Sequence, residues 1–149
     1  TDDIIGVELG GAFKNVYAIA LGMCDGLGLG LNSKSALLAM AINEMAMVSV
    51  AMGGKPETLS GVAGLGDVIG TALSPESRNR RFGECLGKGM NTQKACEAVQ
   101  QTVEGIESTA IFLALAKKHG IATPIATLVQ RAIDGEQITK ENMFTLFTV

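Results

Sequence analysis

Aromatic residues are scarce in this sequence: they make up 4% of its 149 residues, and tryptophan is absent. A hydrophobic core must therefore be mainly aliphatic, and the many alanine, leucine and methionine residues favour helices. The sequence has one histidine, and its three cysteines, Cys24, Cys85 and Cys96, lack the spacing of metal ligands, so we expect no metal site. Because three thiols cannot all pair within one chain, the simplest setting is the reducing cytoplasm.

A strong excess of charge is also missing. The net charge of −3 argues against nucleic acid as a general partner, although it allows a small anionic ligand held by a local basic cluster. No signal peptide is visible. The longest apolar run, residues 36–52, is interrupted by Asn43 and Glu44 and is too short to cross a bilayer comfortably. We therefore expect a central core helix there and no membrane span.

The sequence does contain a succession of helical patterns. It shows no alternating strand pattern of useful length and no internal repeat, so we predict one all-α domain over residues 1–149, a multi-helix, bundle-like fold. Its nineteen glycines are expected at caps, close helix contacts and approaches to a ligand. The predicted helices are 7–24; 34–52, capped by Asn32 or Ser33; 61–72, as one helix or two; 78–88; one capped by Thr92; 104–119, ending at Gly120; one from Pro124 to near Gly135; and 140–147, capped by Thr139.

The first of these helices carries a single cation, Lys14, within the stretch from Val7 to Ala20, in an otherwise apolar run that begins with Gly10 and Gly11. An unpaired buried ammonium is costly, so a lysine is rarely placed there for stability alone. Either its stem reaches the surface, or it faces a cleft with an anionic or proton-exchanging partner. Asn15 adds a neutral donor and acceptor at the same level of the helix.

A lone carboxylate, Asp67, lies in the apolar, glycine-spaced stretch 62–70. Charged groups in such surroundings usually have a partner, and Lys14 is the obvious candidate. An ordinary structural ion pair or a helix cap is the alternative. The glycine patterns here and at 26–30 are not nucleotide-binding loops, because no strand precedes the first and the second lacks a glycine immediately before its lysine.

A basic cluster begins directly after Ser77, at the predicted start of a helix, and consists of Arg78, Arg80 and Arg81 around Asn79. A helix start offers free backbone N–H groups and a positive dipole end, and arginine forks match phosphate oxygens. Phosphate or anion binding is therefore one interpretation of this cluster. A solvated basic turn on the surface of a helix is the other.

Two further ionisable residues have plainer interpretations. Glu104 precedes Gly105 near a predicted helix start, where the helix dipole favours a carboxylate. His119 follows two lysines and precedes Gly120, which is typical of a helix C-terminus and not of a catalytic base.

The order of these motifs resembles the C-terminal half of NAD(P)-dependent glycerol-3-phosphate dehydrogenases, and the bacterial-type members are the most similar. The motifs are GGAFKNV at 10–16, DGLGLG at 25–30, GLGD at 64–67, SPESRNRR at 74–81 and VEG at 103–105. The resemblance implies an all-helical fold similar to the C-terminal domain of 6-phosphogluconate and glycerol-3-phosphate dehydrogenases. It also implies a site between this domain and an N-terminal Rossmann domain, which this sequence lacks.

The resemblance further implies a role for each candidate residue. Lys14 would be the general acid or base at the C2 oxygen as dihydroxyacetone phosphate and sn-glycerol 3-phosphate, a glycerophospholipid precursor, are interconverted. Asp67 would orient Lys14 and the substrate, with Asn15 beside them. The implied contacts to the substrate phosphate are Ser77, Arg78 and Asn79. Those to the nucleotide are Arg78, Thr102 and Glu104, although the family more commonly has valine at the position of Thr102.

The cofactor implied by the resemblance is NAD or NADP, which requires a Rossmann domain supplied in cis or in trans. We therefore expect the chain by itself to be inactive. The apolar surface left without that domain favours a homo-oligomer. Two alternatives remain: a non-catalytic helical binding or oligomerisation module, and the substrate domain of a related hydroxyacid dehydrogenase. The cluster at 77–79 favours a phosphorylated substrate.

Overall fold

The structure, a computed structural model, describes residues 2–148, which contain helices and no strand. The prediction of an all-α fold is confirmed. A π-helical segment, Val62–Gly66, leads directly into the fourth helix, and a 3-10 turn, Leu146–Thr148, follows the last. The α-helices among these residues are α1 (Ile4–Gly26), α2 (Leu31–Ala51), α3 (Pro56–Ser60), α4 (Asp67–Leu73), α5 (Arg78–Gly87), α6 (Thr92–Val99), α7 (Glu104–Lys118), α8 (Pro124–Ile133) and α9 (Lys140–Thr145).

Helix α1 is the centre of the fold and contacts α2, α4, α5, α7 and α8. All of its residues from 15 to 24 are buried, because neighbouring helices surround this part of it. The expectation that residues 36–52 form the central core helix is wrong. That segment belongs to α2, which buries one face through residues such as Leu37 and Met45 and leaves Met47 exposed.

Two predicted helix caps are wrong. Asn32 and Ser33 lie inside the first turn of α2, which begins directly after Gly30 and has no side-chain cap. Asn91, and not Thr92, caps α6 by accepting a backbone hydrogen bond from within its first turn. The Thr92 hydroxyl instead donates to a carbonyl at the end of α8, 2.5 Å away. A partner distant in the sequence therefore decides the role of Thr92.

Other predicted helix ends are confirmed. Thr139 caps α9 in a reciprocal capping box with Asn142. Helix α7 ends at Lys118, with His119 at its C-cap and Gly120 in the left-handed region at φ +66°. These ends depend on neighbours a few residues away, so the sequence contains the information that places them.

Helices α1 and α5 cross with their backbones in contact. Two glycines on each helix line this crossing, Gly22 and Gly26 on α1 and Gly83 and Gly87 on α5. A Cβ atom at Gly83 would lie 2.0 Å from the carbonyl oxygen of Ile19, a separation too short for any side chain. The glycines therefore set the distance between α1, which carries the candidate lysine, and α5, which begins with the basic cluster.

A buried carboxylate of α2 caps α8. The carboxylate of Glu44 accepts hydrogen bonds from the backbone N–H groups of Ile125 and Ala126, each 2.9 Å long. The Tyr17 hydroxyl donates to the same carboxylate over 3.3 Å. Because α8 has no side-chain cap of its own, Glu44 satisfies N–H groups that would otherwise lack partners at the helix start. In the sequence, Glu44 is visible only as an interruption of an apolar run.

The environment of Glu44 gives stability a defined pH dependence. Burial raises the pKa of the Glu44 carboxyl above its ordinary value of 4.5, and the hydrogen bonds from Ala126 and Ile125 oppose this shift. Just above pH 4.5 the folded state then binds more protons at this site than the unfolded state. The corresponding contribution to stability is present below pH 4.5 and is lost as the pH rises through the raised pKa.

We expect urea denaturation between about pH 4 and about pH 8 to show this loss. The free energy of unfolding of the wild type should fall relative to that of Glu44→Gln, by up to about 1.4 kcal/mol for each unit of pKa shift. Glu141→Gln, at an exposed position in the first turn of α9, controls for replacing a carboxylate with an amide. A constant difference between the wild type and Glu44→Gln over this range would contradict the assignment.

By length and composition, α1 and α2 are each apolar enough to cross a membrane. Core helices of globular proteins can be equally long and apolar, and 56% of the most apolar 18-residue stretch of α1 is buried within this fold. These two helices therefore do not establish a membrane span.

Candidate functional site

A polar cleft of about 620 Å³ opens beside α1 and α4, where the first turns of α5 and α7 meet them. The loop of residues 74–77, between α4 and α5, forms part of its wall. Residues far apart in the sequence thus reach one opening. With one exception, the site residues predicted from the sequence line it: Lys14, Asn15, Asp67, Ser77, Arg78, Asn79 and Glu104.

The candidate lysine is paired with the candidate carboxylate on one side of the cleft. The ammonium of Lys14 on α1 donates to both carboxylate oxygens of Asp67, the first residue of α4, over 2.9 and 2.8 Å. The Lys14 side chain is 26% exposed and that of Asp67 is 39% exposed. The pair therefore lies at the surface of the cleft, where the ammonium has donors left for a bound molecule. Of the two interpretations of Lys14, the structure favours the one in which the lysine faces a cleft with an anionic partner.

The opposite side of the cleft is formed by the start of α5. Ser77 caps this helix, because its hydroxyl oxygen accepts from the backbone N–H of Arg80 over 3.2 Å. The Arg78 side chain is 42% exposed, and its guanidinium lies 3.6 Å from the carboxylate of Glu104 at the start of α7. Two helix N-termini, with their positive dipole ends, thus border the same opening.

The three arginines of the basic cluster do not act together. Arg78 lines the cleft, whereas Arg80 turns to the other side of α5 and pairs with Asp25 over 2.8 Å. Asp25 also pairs with Lys34, so Arg80 belongs to an ionic bridge between α1, α2 and α5. Arg81 does not line the cleft either. Successive helical residues point about 100° apart, which prevents three neighbouring arginines from facing one ligand.

Thr102 is the predicted site residue that the structure leaves out of the cleft. It is exposed in the connection between α6 and α7 and is absent from the lining of the opening. The adjacent Val103 is buried and leads into α7. Any role for Thr102 therefore concerns a molecule that extends beyond this cleft.

Sequence analysis missed Thr71, which is one of the residues that line the cleft. Thr71 lies one turn after Asp67 in α4, so both project from the same face of that helix. The spacing of four residues was the available signal, but it has meaning only once Asp67 is known to face a site. Ser74 and Glu76 also line the cleft, because they belong to the loop of residues 74–77 that forms part of its wall.

The arrangement can bind an anion and exchange a proton. On one side, an ammonium is held by a carboxylate through Lys14 and Asp67. On the other side, Arg78 and the N-terminus of α5 provide groups that bind phosphate oxygens. Within residues 2–148, no three His, Cys, Asp or Glu side chains are grouped to hold a metal ion.

Comparison with known proteins gives a consistent set of similarities. A family model described as the NAD-dependent glycerol-3-phosphate dehydrogenase C-terminus matches residues 3–143. A glycerol-3-phosphate dehydrogenase [NAD(P)+] of Stenotrophomonas maltophilia (strain K279a) is 44% identical over 145 residues, which are 97% of this chain and 42% of that protein. One from Clostridium perfringens (strain 13) is 46% identical over 132 residues, 89% of this chain and 40% of that protein.

Solved structures show the same similarity in three dimensions. A glycerol-3-phosphate dehydrogenase from Coxiella burnetii matches with a TM-score of 0.94 and 42% identity, over 100% of this chain and 46% of that one. The GPDH of Dunaliella salina matches with a TM-score of 0.80 and 26% identity, over 91% of this chain and 25% of that one. The chain thus spans less than half the length of these relatives.

Proposed function

The chain belongs to the family of NAD-dependent glycerol-3-phosphate dehydrogenase C-termini, and we propose that it supplies the substrate-binding and proton-transferring half of such an enzyme's site. The reaction is the interconversion of dihydroxyacetone phosphate and sn-glycerol 3-phosphate. One observation carries the proposal: the Lys14–Asp67 pair and the arginine-bearing start of α5 border the same cleft. A proton donor and an anion-binding helix start match a small substrate with a carbonyl at its central carbon and a phosphate at one end.

In this proposal Lys14 acts on the C2 oxygen. The nicotinamide, when bound, supplies the hydride for C2. The Lys14 ammonium stabilises the negative charge that develops on the C2 oxygen and donates the proton that completes the hydroxyl. In the reverse direction the lysine amine accepts that proton. Asp67 holds the ammonium through both of its oxygens and so aims it, while Asn15 offers a donor and an acceptor beside it.

The proposed phosphate contacts are Ser77, Arg78 and Asn79. The Ser77 oxygen is used to cap α5, which leaves its O–H free to donate to a ligand. Arg78 adds a guanidinium fork at the same helix start. Holding the phosphate there aims the carbonyl at Lys14, which is a positioning contribution to the rate.

We assign the nucleotide contacts to Arg78, Glu104 and Thr102. Arg78 and Glu104 face each other at the exposed rim of the cleft, where a second domain can approach. Thr102 lies outside the cleft and nearby in the chain, so it fits a contact to a longer molecule such as a dinucleotide. NAD or NADP binding in this proposal needs the N-terminal Rossmann domain, in cis or in trans, and the chain alone does not turn over substrate.

We place the enzyme in the cytoplasm, as a source or consumer of a glycerophospholipid precursor. The three free cysteines support a reducing compartment. Exposed apolar side chains such as Leu31 and Met47 on α2 support a homo-oligomer.

Replacing Arg78 tests the phosphate end of the proposal. We expect Arg78→Ala to raise the Kd for glycerol 3-phosphate about 10- to 100-fold, because a charge-assisted contact is lost. Binding of glycerol, which has no phosphate, should change little. Isothermal titration with both molecules measures the difference.

Arg131→Ala is the matched control. Arg131 is exposed to a similar degree and pairs with Glu136, but it lies on α8 and does not line the cleft. If Arg78→Ala bound glycerol 3-phosphate as well as the wild type does, the phosphate assignment would be wrong.

A further inference from the structure

We propose that Gly105 is a positioning residue that orients the side-chain amide of Asn79 for binding the substrate phosphate. This inference rests on the proposed function, because it assigns a geometry to one of the phosphate contacts. Asn79 lies in the first turn of α5 and Gly105 in the first turn of α7. The two helix starts that border the cleft are therefore joined through this pair of residues.

The hydrogen bond between them determines which end of the amide faces the cleft. The backbone N–H of Gly105 donates to Oδ1 of Asn79 over 2.8 Å, in a buried position. A backbone N–H can only donate, so the amide oxygen must point toward α7. The NH₂ group is then the part of Asn79 that is left for the cleft. An NH₂ group donates hydrogen bonds, which is what phosphate oxygens accept.

The same hydrogen bond also caps the N-terminus of α7. Its N-cap residue, Val103, has no side chain able to accept a hydrogen bond, and no side-chain cap is formed there. Asn79 takes that role from outside the helix and satisfies one of the N–H groups that lack partners at a helix start. A single amide therefore caps α7 with its oxygen and presents its NH₂ group to the cleft.

Only glycine fits at position 105 in this arrangement. A Cβ atom there would lie 2.7 Å from Oδ1 of Asn79, 2.6 Å from Cδ1 of Ile19 and 3.1 Å from the backbone oxygen of Asn15. The Ile19 contact is the end of a flexible side chain and can move aside. The Asn79 contact cannot be relieved without shifting the amide or moving the start of α7 away from it, and either change misaligns the NH₂ group.

The test compares two substrates with this chain joined to, or mixed with, a nucleotide-binding domain. Dihydroxyacetone phosphate uses the phosphate contacts, and dihydroxyacetone lacks the phosphate. We expect Gly105→Ala to lower kcat/KM for dihydroxyacetone phosphate about 10-fold or more, the effect of a lost hydrogen bond to a charged group, and to lower kcat/KM for dihydroxyacetone much less. Gly30→Ala is the matched control, since a Cβ there meets no atom within 4 Å and the residue lies outside the cleft.

A double-mutant cycle shows whether Gly105 acts through Asn79. Once Asn79→Ala has removed the amide, adding Gly105→Ala should have no further effect on the ratio of the two kcat/KM values. Ile19→Val with Gly105→Ala removes the Cδ1 contact and keeps the comparison possible if Gly105→Ala folds poorly. A fall of equal size for both substrates, or additive effects in the double variant, would overturn the inference. A wild-type enzyme that shows no preference for the phosphorylated substrate would overturn the proposed phosphate site itself, before any variant is compared.

Discussion

Lys14→Ala is expected to lower kcat for dihydroxyacetone phosphate reduction by about 10²- to 10⁴-fold, the range for loss of a general acid. The measurement uses this chain joined to, or mixed with, a nucleotide-binding domain, and NADH or NADPH oxidation is followed. The physical reason is that Lys14 is the ammonium of the cleft that Asp67 holds in place with two hydrogen bonds. Without it, the charge on the C2 oxygen loses both its stabilising cation and its proton donor.

Lys34→Ala provides a control matched in environment. The Lys34 side chain is 24% exposed and pairs with Asp25 over 2.8 Å, much as Lys14 pairs with Asp67, but Lys34 lies outside the cleft. Both variants lose a partly buried ion pair, but only Lys14→Ala also removes the proposed proton donor. Only Lys14→Ala should therefore show the large loss of kcat. Equal losses in the two variants would show that the ion pair matters for folding alone. An assembled wild-type protein without activity would favour the non-catalytic helical module.

Gly83→Ala is expected to destabilise the fold by about 3 kcal/mol, the upper part of the usual range for overpacking. The added methyl carbon would lie 2.0 Å from the carbonyl oxygen of Ile19, which is backbone and cannot rotate away. Helices α1 and α5 must then separate. Since α1 carries Lys14 and α5 carries Arg78, we also expect weaker binding of glycerol 3-phosphate. Urea denaturation followed by circular dichroism measures the loss of stability.

Gly70→Ala shows what the same substitution does without a clash. Gly70 lies inside α4, and a Cβ there meets no atom within 4 Å. Alanine should therefore stabilise this helix by up to about 1 kcal/mol, the difference in intrinsic helix propensity. If Gly83→Ala proved as stable as the wild type, the close contact between α1 and α5 would not be a determinant of the fold.

The predictable parts of the site are those that depend on residue type and local spacing. Lys14 and Asp67 stand out in the sequence because each is a charge in apolar surroundings, and the structure pairs them. Ser77 is recognisable as the start of a helix because capping involves residues three positions apart. Their catalytic and binding roles stay predictions until the variants are measured.

The parts that could not be predicted depend on contacts between distant segments. Three neighbouring arginines form one cluster in the sequence, but the packing of α5 against α1 sends Arg80 to Asp25 and leaves Arg78 in the cleft. Thr92 has the composition of a helix cap, yet its hydroxyl bonds to α8. The buried cap that Glu44 provides for α8 spans more than 80 residues and has no local signature.

The sequence by itself determined that this protein is helical, where several of its helices end, and which charged residues need partners. These properties follow from helix propensity, capping and the cost of burying charge, all of which act on neighbouring residues or on single side chains. Tertiary structure alone decided which charges share the cleft, that Asn79 caps α7 from another helix, and how closely α1 and α5 approach. Those outcomes depend on the relative placement of whole helices, which is set by the packing of buried faces across the entire chain.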